Sequence, residues 1–407
     1  MAERARLLML TPRLPYPVVG GDRLRIYHIA RTLAEHVDLT LVSLVESREE
    51  LNEPVDGVFR EVHRVLLPPW RSRLHSALAV PTQTPLQVAY YRCQAFADLA
   101  RHVYPGHHGV FAHLIRTDAA ARLLPGPRFL EMTDAISLNY QRVRSETSRT
   151  AGRDPRVWIY ALEYRRLRAF ERRVTAAYEA SFLVSDVDRR YLFGDQEPRG
   201  EILVCPNGVD LERMPFAPPE VRAEPVAVFI GNLCSLQNFD AAYRMAVDVM
   251  PDVRLRCPEA RLRVIGRIPA DKAAVLRALP GVEVTGEVPD VAAAARGASV
   301  GVAPMALGAG VQNKVLEYQA LGLATIVTPV ALEGLSAVPG RDLEVADLDN
   351  FASAVARLFE APAHRAELAY AGRRFVLAEH QWAATLAPMV QRVVRGVERR
   401  RRGQAQR

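Results

Sequence analysis

Short apolar runs alternate with amphipathic stretches along most of this 407-residue chain. A strand that is buried on both faces is a continuous apolar run, whereas a helix that covers a sheet is amphipathic. The alternation therefore predicts parallel sheets with helices on both faces. The candidate strands are residues 6–11, 37–43, 109–115, 128–133, 181–185 and 201–205 in the first half, and 226–231, 262–266, 282–285, 299–303 and 324–328 in the second.

A proline-rich stretch separates the two series of strands. Residues 214–225 hold four prolines in a polar setting, which predicts a linker. The chain is also longer than one core usually serves. We therefore expect an α/β protein with two doubly wound, Rossmann-like domains, residues 1–213 and 226–378. Open sheets of this kind bind ligands at the carboxyl ends of their strands, so the cleft between the domains is the expected site.

The composition limits the class of protein. The chain is 49% hydrophobic and 24% charged, which is typical of globular proteins. We find no apolar run of about 18 residues, so no spanning helix is expected. The apolar segment near the N-terminus is too short for a signal peptide. The cysteines Cys93, Cys205, Cys234 and Cys257 show no metal-binding spacing, which favours free thiols in a reducing cytoplasm.

The formal charge of +7 is unevenly distributed. Arginines concentrate at residues 142–173 and 392–407. A solvated helix face and a frayed terminus explain these segments, and so does binding to an anionic acceptor or to the acidic inner face of a membrane. Neither segment interleaves aromatic residues, so nucleic acid is not predicted as a partner. The expected location is cytoplasmic, with peripheral membrane association left open.

Only two of the 53 basic residues are lysines, Lys272 and Lys314. Lys314 lies in the glycine-rich segment 308–317, which leads into a predicted helix. A compact ammonium suits a phosphate in a tight loop, and a helix N-terminus adds N–H groups and a positive dipole end. Glu317 falls on the same helical face, so the pair could hold a diphosphate and a sugar diol. An exposed ion pair explains the same spacing.

Taken in order, several segments resemble the retaining GT-B glycosyltransferases of family 4. The branch that they are most similar to includes bacterial exopolysaccharide and sugar transferases. The resemblance extends over about residues 5–385. The segments that carry it are Gly20-Gly21, 206–210, 229–233 with Asn238, 264–266, 284–288, 308–317, 320–329 and 332–334.

The resemblance implies transfer of a sugar from a nucleotide-diphosphate sugar with retained configuration, without a metal or cofactor. It implies that the C-terminal domain holds the donor and the N-terminal domain the acceptor, which is a glycan, a lipid-linked molecule or a small molecule. It further implies that residues 379–398 form a helix packing back on the N-terminal domain, before a basic tail at 399–407. Its donor-side residues are Gly20, Gly21, Gly231, Asn232, Arg267, Glu287, Val288, Gly310, Val311, Gln312, Asn313, Lys314 on the diphosphate and Glu317 on the ribose.

The chain departs from the family pattern at three places. Ala309 stands where many members have a second glutamate. The loop at residues 231–238 lacks their helper cation, for which Arg267 is a candidate substitute. Asp134 follows a strand where many members have a histidine, and it would orient the sugar or polarise the acceptor hydroxyl. A helix N-cap explains Asp134 equally simply.

Two further residues, His113 and Arg116, close the preceding strand and are candidates for the acceptor side. A core histidine and a surface arginine are equally ordinary there. Asp186 and Asp188 imitate an Asp-x-Asp metal motif, but their setting favours a helix N-cap, and no metal is predicted. Two other functions stay open. One is a sugar-nucleotide epimerase of the same fold, and the other is a catalytically decayed partner of another transferase.

Overall fold

The computed structural model describes residues 4–18, 20–142, 156–194, 196, 198–219, 224–306 and 311–406. The chain divides into two compact units. The first unit comprises Met1–Pro206 with Leu386–Arg407, and the second comprises Asn207–Thr385.

The first unit is built on a seven-stranded sheet with the order β3-β2-β1-β4-β5-β6-β7, in which every neighbouring pair is parallel. The central strands are almost entirely buried and mainly apolar, as the sequence predicts. Strand β3 was not predicted, because His63 and Arg64 interrupt its apolar pattern at the sheet edge. The strands are β1 (Arg6–Thr11), β2 (Asp38–Val45), β3 (Glu61–Leu66), β4 (Gly109–His113), β5 (Arg128–Thr133), β6 (Ala180–Leu183) and β7 (Glu201–Val204).

Helices connect these strands. A further helix, formed by residues near the end of the chain, also belongs to this unit. Residues 136–142 are also helical. The helices are α1 (Gly21–Ala34), α2 (Pro69–Ala79), α3 (Leu86–Tyr90), α4 (Gln94–Val103), α5 (Asp118–Ala121), α6 (Arg156–Val174) and α7 (Asp186–Phe193), with short 3₁₀ turns at Glu49–Asn52, Ile115–Thr117 and Thr175–Ala177.

The second unit repeats this winding in a six-stranded sheet with the order β10-β9-β8-β11-β12-β13, again with parallel pairs only. Strand β13 was not predicted, because it has only two residues. The strands are β8 (Val226–Ile230), β9 (Arg261–Ile265), β10 (Val282–Gly286), β11 (Val300–Ala303), β12 (Ala324–Val327) and β13 (Glu344–Val345).

The helices of the second unit lie between its strands and follow the last of them. A π-helical turn at Met245–Val249 precedes Pro251, whose missing N–H disturbs the regular helical ladder. The helices are α8 (Leu236–Arg244), α9 (Met250–Arg256), α10 (Ala270–Arg277), α11 (Val291–Ala294), α12 (Asn313–Leu321), α13 (Pro329–Leu332), α14 (Leu348–Glu360), α15 (Pro362–Glu379) and α16 (Trp382–Ala405), which continues into the first unit.

Each unit has its own hydrophobic core, so the predicted α/β class with two doubly wound parallel sheets is confirmed. The boundary between the units falls after Pro206, upstream of the proline-rich residues 214–225. The intervening residues belong to the second unit because their backbone bonds to it. The amide of Val209 donates to the carbonyl of His380 at 2.8 Å, and that of Ala217 donates to Leu321 at 3.2 Å.

Within the described ranges, no helix has the length and apolar character needed to cross a bilayer.

Candidate active site

Lys314 lies at the switch point of the second sheet. Strands β8 and β11 are neighbours, but the chain leaves them toward opposite edges of the sheet. In doubly wound folds, the crevice at such a point is where ligands bind. Helix α12 follows β11, and Lys314 is its second residue. Its side chain is only 7% exposed, which excludes the exposed ion pair as an explanation of the sequence pattern.

Tyr318 fixes α12 onto the sheet. Its hydroxyl donates to the carbonyl of Val302 at 3.1 Å and accepts from the amide of Ile230 at 2.9 Å, so it bridges β11 and β8. Gly301 makes this packing possible, because a Cβ there would lie 2.3 Å from the Tyr318 ring. The start of α12, and Lys314 with it, is thereby held at a fixed distance from the switch point.

Neutral groups surround the ammonium of Lys314. It donates to Oδ1 of Asn238 at 2.9 Å and to Oε1 of Gln312 at 3.0 Å, and it lies 5.2 Å from the ring centre of Phe229. Burial lowers the pKa of Lys314 to about 8, against the opposing charge of Glu317. No carboxylate in the described part of the chain pairs directly with it. The site therefore holds a partly desolvated cation at neutral pH, which is suited to an anionic ligand.

Glu317 lies one turn further along α12 and is half-buried. Burial raises the pKa of its carboxyl group, and the charge of Lys314 opposes that rise. The two side chains therefore interact electrostatically without direct contact. A carboxylate in this position is free to accept hydrogen bonds from ligand hydroxyls.

The loops after β8, β9 and β10 are joined by backbone hydrogen bonds. The amide of Gly231 donates to Ile265 at 3.0 Å, and the amide of Gly266 donates to Gly286 at 2.9 Å. Gly266 has a φ of 132°, and a Cβ there would lie 2.0 Å from the carbonyl oxygen of Gly231. Only glycine allows this approach, so the loops form one continuous backbone surface at the carboxyl edge of the sheet.

That surface carries five of the thirteen predicted donor-side residues, which are Gly231, Asn232, Arg267, Glu287 and Val288. The side chain of Asn232 accepts from the amide of Cys234 at 3.1 Å, while its carbonyl accepts from Asn238 at 3.0 Å. Arg267 is exposed and forms no ion pair with a carboxylate in the described residues, so its charge is available to a ligand. Glu287 is exposed, and Val288 packs against the core of the unit.

The N-terminus of α12 completes this side of the site. Gln312 is its N-cap residue, and Asn313 accepts a hydrogen bond from Nδ2 of Asn207 at 2.8 Å. Asn207 thus supports the start of the helix that carries Lys314. Val311 is half-buried against the core. Gly310, with Gly308 and Ala309, lies outside the described residues.

A second polar cluster lies in the first unit, around Glu131. Its carboxylate accepts from Nε of Arg25 at 2.8 Å and contacts Nδ1 of His113 at 2.9 Å. It also accepts from the amide and hydroxyl of Thr133, at 2.9 and 2.8 Å. Burial alone would raise the pKa of Glu131, but Arg25 and His113 lower it to about 2. His113, predicted on the acceptor side, is therefore engaged in a buried network.

Two strained residues lie beside this cluster. Leu114 and Thr133 have φ values of 61° and 64°, and they are the only non-glycine residues with positive φ in the described chain. They stand at the carboxyl ends of the neighbouring strands β4 and β5. Such conformations cost free energy and concentrate at functional sites. Glu131 bonds twice to Thr133, so the buried network holds the strained turn in place.

Asp134 follows Thr133 directly. Its pKa is raised to about 6 by burial and by the nearby carboxylates of Asp188 and Glu131, while Arg116 opposes the rise. Arg116 is half-buried, donates to Oε1 of Gln87 at 2.7 Å and stacks 4.9 Å from the ring centre of Tyr91. A carboxyl group with this pKa at a strand end suits proton transfer or hydrogen bonding to a hydroxyl.

Gly20 and Gly21 stand at the entry to α1. Gly20 has a φ of 90° and is the N-cap of the helix, which begins at Gly21. This turn starts the helix that carries Arg25 into the Glu131 cluster. The glycine pair therefore lies in the first unit, in the same helical segment as the buried arginine.

Asp186 and Asp188 do not form a metal motif in this structure. Asp188 is buried and accepts from the amide of Ala135 at 2.9 Å, whereas Asp186 is paired with Arg189 at 3.3 Å. Ser185 is the N-cap of α7. Among the residues that the structure describes, no three histidine, cysteine or acidic side chains gather as a metal site would require.

The second unit also matches a known family. Residues 224–361 match the family model described as Glycosyl transferases group 1. The match covers less than half of the chain and includes the loops and the helix around Lys314. None of the curated protein sequences compared with this chain matches it.

Solved structures match the chain over nearly its whole length. Sucrose-phosphate synthase from Thermosynechococcus elongatus superposes with a TM-score of 0.68 at 17% identity, covering 95% of this chain and 98% of that one. Anabaena HepE in complex with UDP-glucose gives 0.64 at 11% identity, with coverage of 95% and 99%. TarM gives 0.68 at 8% identity, with coverage of 95% and 98%. At these identities the likeness establishes the fold, which is GT-B.

Sequence reasoning missed one residue of the Lys314 cluster and one ion pair of the Glu131 cluster. Asn238 belonged to the family-like pattern but had no assigned role, and the structure shows it positioning Lys314. The Arg25–Glu131 ion pair was missed entirely. A signal for it existed, because Glu131 interrupts the apolar strand 128–133, and a buried carboxylate requires a charged partner.

Proposed function

We propose that this protein is a retaining glycosyltransferase that moves a sugar from a nucleotide-diphosphate sugar to a hydroxyl acceptor. The observation that carries the proposal is the buried Lys314 at the switch point of the second sheet. Support comes from the family match of this unit and from HepE, a neighbour of the same fold solved with UDP-glucose.

In this mechanism Lys314 binds the donor diphosphate. As the bond between the anomeric carbon and the phosphate oxygen breaks, negative charge grows on the leaving group. A preorganised cation in a partly desolvated site stabilises that charge. The amides at the start of α12 and the positive end of its dipole add to the stabilisation. No metal is required in this scheme, and no cofactor is consumed.

The other donor-side residues have supporting roles in the proposal. Glu317 accepts hydrogen bonds from the ribose hydroxyls. Arg267 replaces the helper cation that the loop at residues 231–238 lacks. The backbone near Gly231 and Gly310 approaches the phosphates and sugar, and the segment at Glu287 and Val288 lies beside the base.

The first unit binds the acceptor in this proposal. Asp134 accepts a hydrogen bond from the attacking hydroxyl, or from the donor sugar, and its raised pKa suits either role. The acceptor is a glycan, a lipid-linked molecule or a small molecule. An exopolysaccharide role, a cytoplasmic location and peripheral binding to an anionic membrane remain parts of the hypothesis.

The proposal is tested by incubating the protein with a panel of nucleotide-sugars and measuring release of the nucleoside diphosphate. Lys314→Met should reduce turnover by about 10²-fold or more, because it removes the positive charge that stabilises the leaving group. Lys272→Met is the matched control, since Lys272 packs over the ring of Phe239 instead. Equal rates for the two variants would contradict the assignment. Interconversion of sugars without an acceptor would identify an epimerase, and absence of any nucleotide binding would favour a decayed partner protein.

A further inference from the structure

Helix α2 exposes its large apolar side chains and buries its small ones. Trp70, Leu74 and Leu78 are 61%, 50% and 65% exposed, whereas Ser72 and Ala79 are 1% and 6% exposed. At about 100° per residue, the three large side chains fall within an arc of roughly 80°, on the side opposite Ser72 and Ala79. A helix that serves only a protein core has the reverse arrangement. We call Trp70, Leu74 and Leu78 the α2 stripe.

The α2 stripe is exposed along the whole length of the helix, since each of its three side chains is at least 50% exposed. Val80, also 50% exposed, lies beside Arg73 by its helical angle and is not part of the stripe. Contiguous exposed apolar residues on one face differ from the single exposed side chains of ordinary surfaces and indicate a binding surface.

Basic residues flank the α2 stripe. Arg71 and Arg73 are both exposed, and the helical angles place them on opposite sides of the stripe. Neither forms an ion pair with a carboxylate in the described part of the chain. Residues 62–97 contain no aspartate or glutamate at all, while they include Arg64 and Arg92 as well. The region is therefore both apolar at its centre and cationic at its margins.

This combination matches the interface of an anionic bilayer. Tryptophan is favoured at the boundary between headgroups and acyl chains, and leucine is favoured just below it. Arginines at the margins of such a helix contact acidic headgroups while their methylene stems remain in the interface. A protein partner would require acidic side chains at two separate margins of a narrow stripe, whereas acidic lipids are mobile and meet both.

The same helix also lines a cavity of about 530 Å³. Leu78 is shared by the stripe and the cavity wall, which also includes Phe96, Ala97 and Leu123. Arg116, a candidate on the acceptor side, is part of the same wall. Leu78 thus places one edge of the α2 stripe at this pocket, whose wall also includes polar side chains such as Gln94 and Thr117.

We propose that the α2 stripe docks the first unit on an anionic membrane surface, with Trp70, Leu74 and Leu78 inserted and Arg71 and Arg73 on the headgroups. This docking rests on the peripheral membrane binding included in the proposed function and assigns it to α2 instead of the arginine-rich segments at residues 142–173 and 392–407. It does not depend on the glycosyl-transfer chemistry.

The experiment is co-sedimentation of the full-length protein with vesicles of phosphatidylcholine, with and without phosphatidylglycerol. The wild-type protein should bind the anionic vesicles and lose affinity as salt is added. The triple variant Trp70→Ser, Leu74→Gln and Leu78→Gln should lower the partition coefficient roughly tenfold or more. Arg71→Ser with Arg73→Ser should weaken binding by roughly fivefold per arginine at low salt only.

Two controls separate the stripe from general surface effects. Leu255→Gln with Val275→Gln removes apolar side chains that are 82% and 48% exposed on the second unit, and it should leave binding unchanged. Arg400→Ser, Arg401→Ser and Arg402→Ser reduce the charge of the tail and should also leave most of the binding. All substituted side chains of the stripe are exposed, so thermal unfolding should be close to that of the wild type.

Three results would overturn the proposal. The first is no binding to either kind of vesicle, and the second is binding that the tail substitutions abolish and the stripe substitutions leave intact. The third is a concentration-dependent dimer, seen by analytical ultracentrifugation, that the stripe variant loses without any change in vesicle binding. Donor hydrolysis by the stripe variant in the absence of vesicles tests the glycosyltransferase assignment separately.

Discussion

The ammonium of Lys314 lies 2.9 Å from Oδ1 of Asn238, across the point where strands β8 and β11 send the chain in opposite directions. The two residues belong to helices that follow these two strands. Each helix thus supplies one member of the pair, and the sheet fixes the distance between them. An amide holds the ammonium in place without neutralising it, which leaves the full charge for a ligand.

Binding of a nucleoside diphosphate should therefore take up protons near pH 8. The pKa of Lys314 is lowered to about 8 by burial, and a bound diphosphate favours the charged form and raises it again. Affinity should fall as pH increases through 8. Calorimetric titration with UDP, in two buffers of different ionisation enthalpy, measures the proton uptake.

The control for this titration is Lys314→Met, which should bind UDP weakly at every pH and without proton uptake. Its thermal stability at pH 7 should be unchanged or slightly raised. The sign follows from the pKa, since a lysine whose folded pKa is lowered is charged at a free-energy cost in the folded state at neutral pH. A large loss of stability with unchanged UDP affinity would contradict the role of Lys314.

Replacing Gly266 should disorganise the donor-side loops. In Gly266→Ala the new Cβ would lie 2.0 Å from the carbonyl oxygen of Gly231, so the loop after β8 must move. We expect a higher KM for the donor and lower thermal stability. Gly286→Ala is the matched control, because Gly286 also has positive φ but a Cβ there has no heavy atom within 4 Å. If both variants show the same KM and thermal stability, the effect comes from the positive φ that the two positions share. The close approach of Gly266 to the carbonyl of Gly231 would then not be its cause.

Asp134→Asn distinguishes a catalytic carboxylate from a helix cap. A catalytic role predicts a fall in turnover of about 10²-fold or more. It also predicts an acidic limb near pH 6 in the wild-type profile, where the Asp134 carboxyl group is protonated. Because the folded pKa of Asp134 is raised, ionisation of this carboxyl group lowers the free energy of unfolding above pH 6. The Asp134→Asn variant should therefore be at least as stable as the wild type at pH 7.

A simple N-cap would give the opposite pair of results for Asp134→Asn. Turnover would be nearly normal, and any effect would be confined to stability. Asp186→Asn is a suitable control, because Asp186 is an exposed carboxylate at the start of α7.

Glu131→Gln should be strongly destabilising, because it leaves Arg25 buried without a counter-ion. The expected loss is about 3–5 kcal/mol in the free energy of unfolding. The folded pKa of Glu131 is lowered to about 2, so its stabilisation is present at neutral pH and is lost as pH falls toward 2. Urea unfolding of the wild type and of Glu131→Gln, between neutral pH and pH 3, measures the difference between their free energies of unfolding. This difference should become smaller as the pH falls. Glu61→Gln, on the exposed edge strand β3, should cost little.

The sequence predicted the features that are determined by residues close together along the chain. Strands β1 and β5 match their predicted bounds, because each is a mainly apolar run that ends in a polar turn. Lys314 was found because its position after a strand and before a helix is a local pattern. Strand β13 could not be predicted from the sequence, because two residues are too few to show a periodic pattern.

Contacts between distant segments could not be predicted. Asn238 and Lys314 are 76 positions apart, and Arg25 and Glu131 are 106 positions apart. Only the order of strands brings them together, and no spacing rule encodes that order. The same reason explains His113, whose place at a strand end suggested the acceptor side. Its neighbour across the sheet, Glu131, contacts it at 2.9 Å in a buried network that no local pattern indicates.

The last residues of the chain belong to the first unit. Arg392 pairs with Glu179 at 2.6 Å, and a Cβ at Gly396 would lie 2.6 Å from the ring of Phe129. The second unit is therefore an insertion within the first. During vectorial synthesis, a ribosome delivers the whole inserted unit before the residues that cover Phe129 emerge. The first unit therefore begins to form first and is completed last, so a C-terminal deletion that removes Gly396 would expose Phe129 on β5.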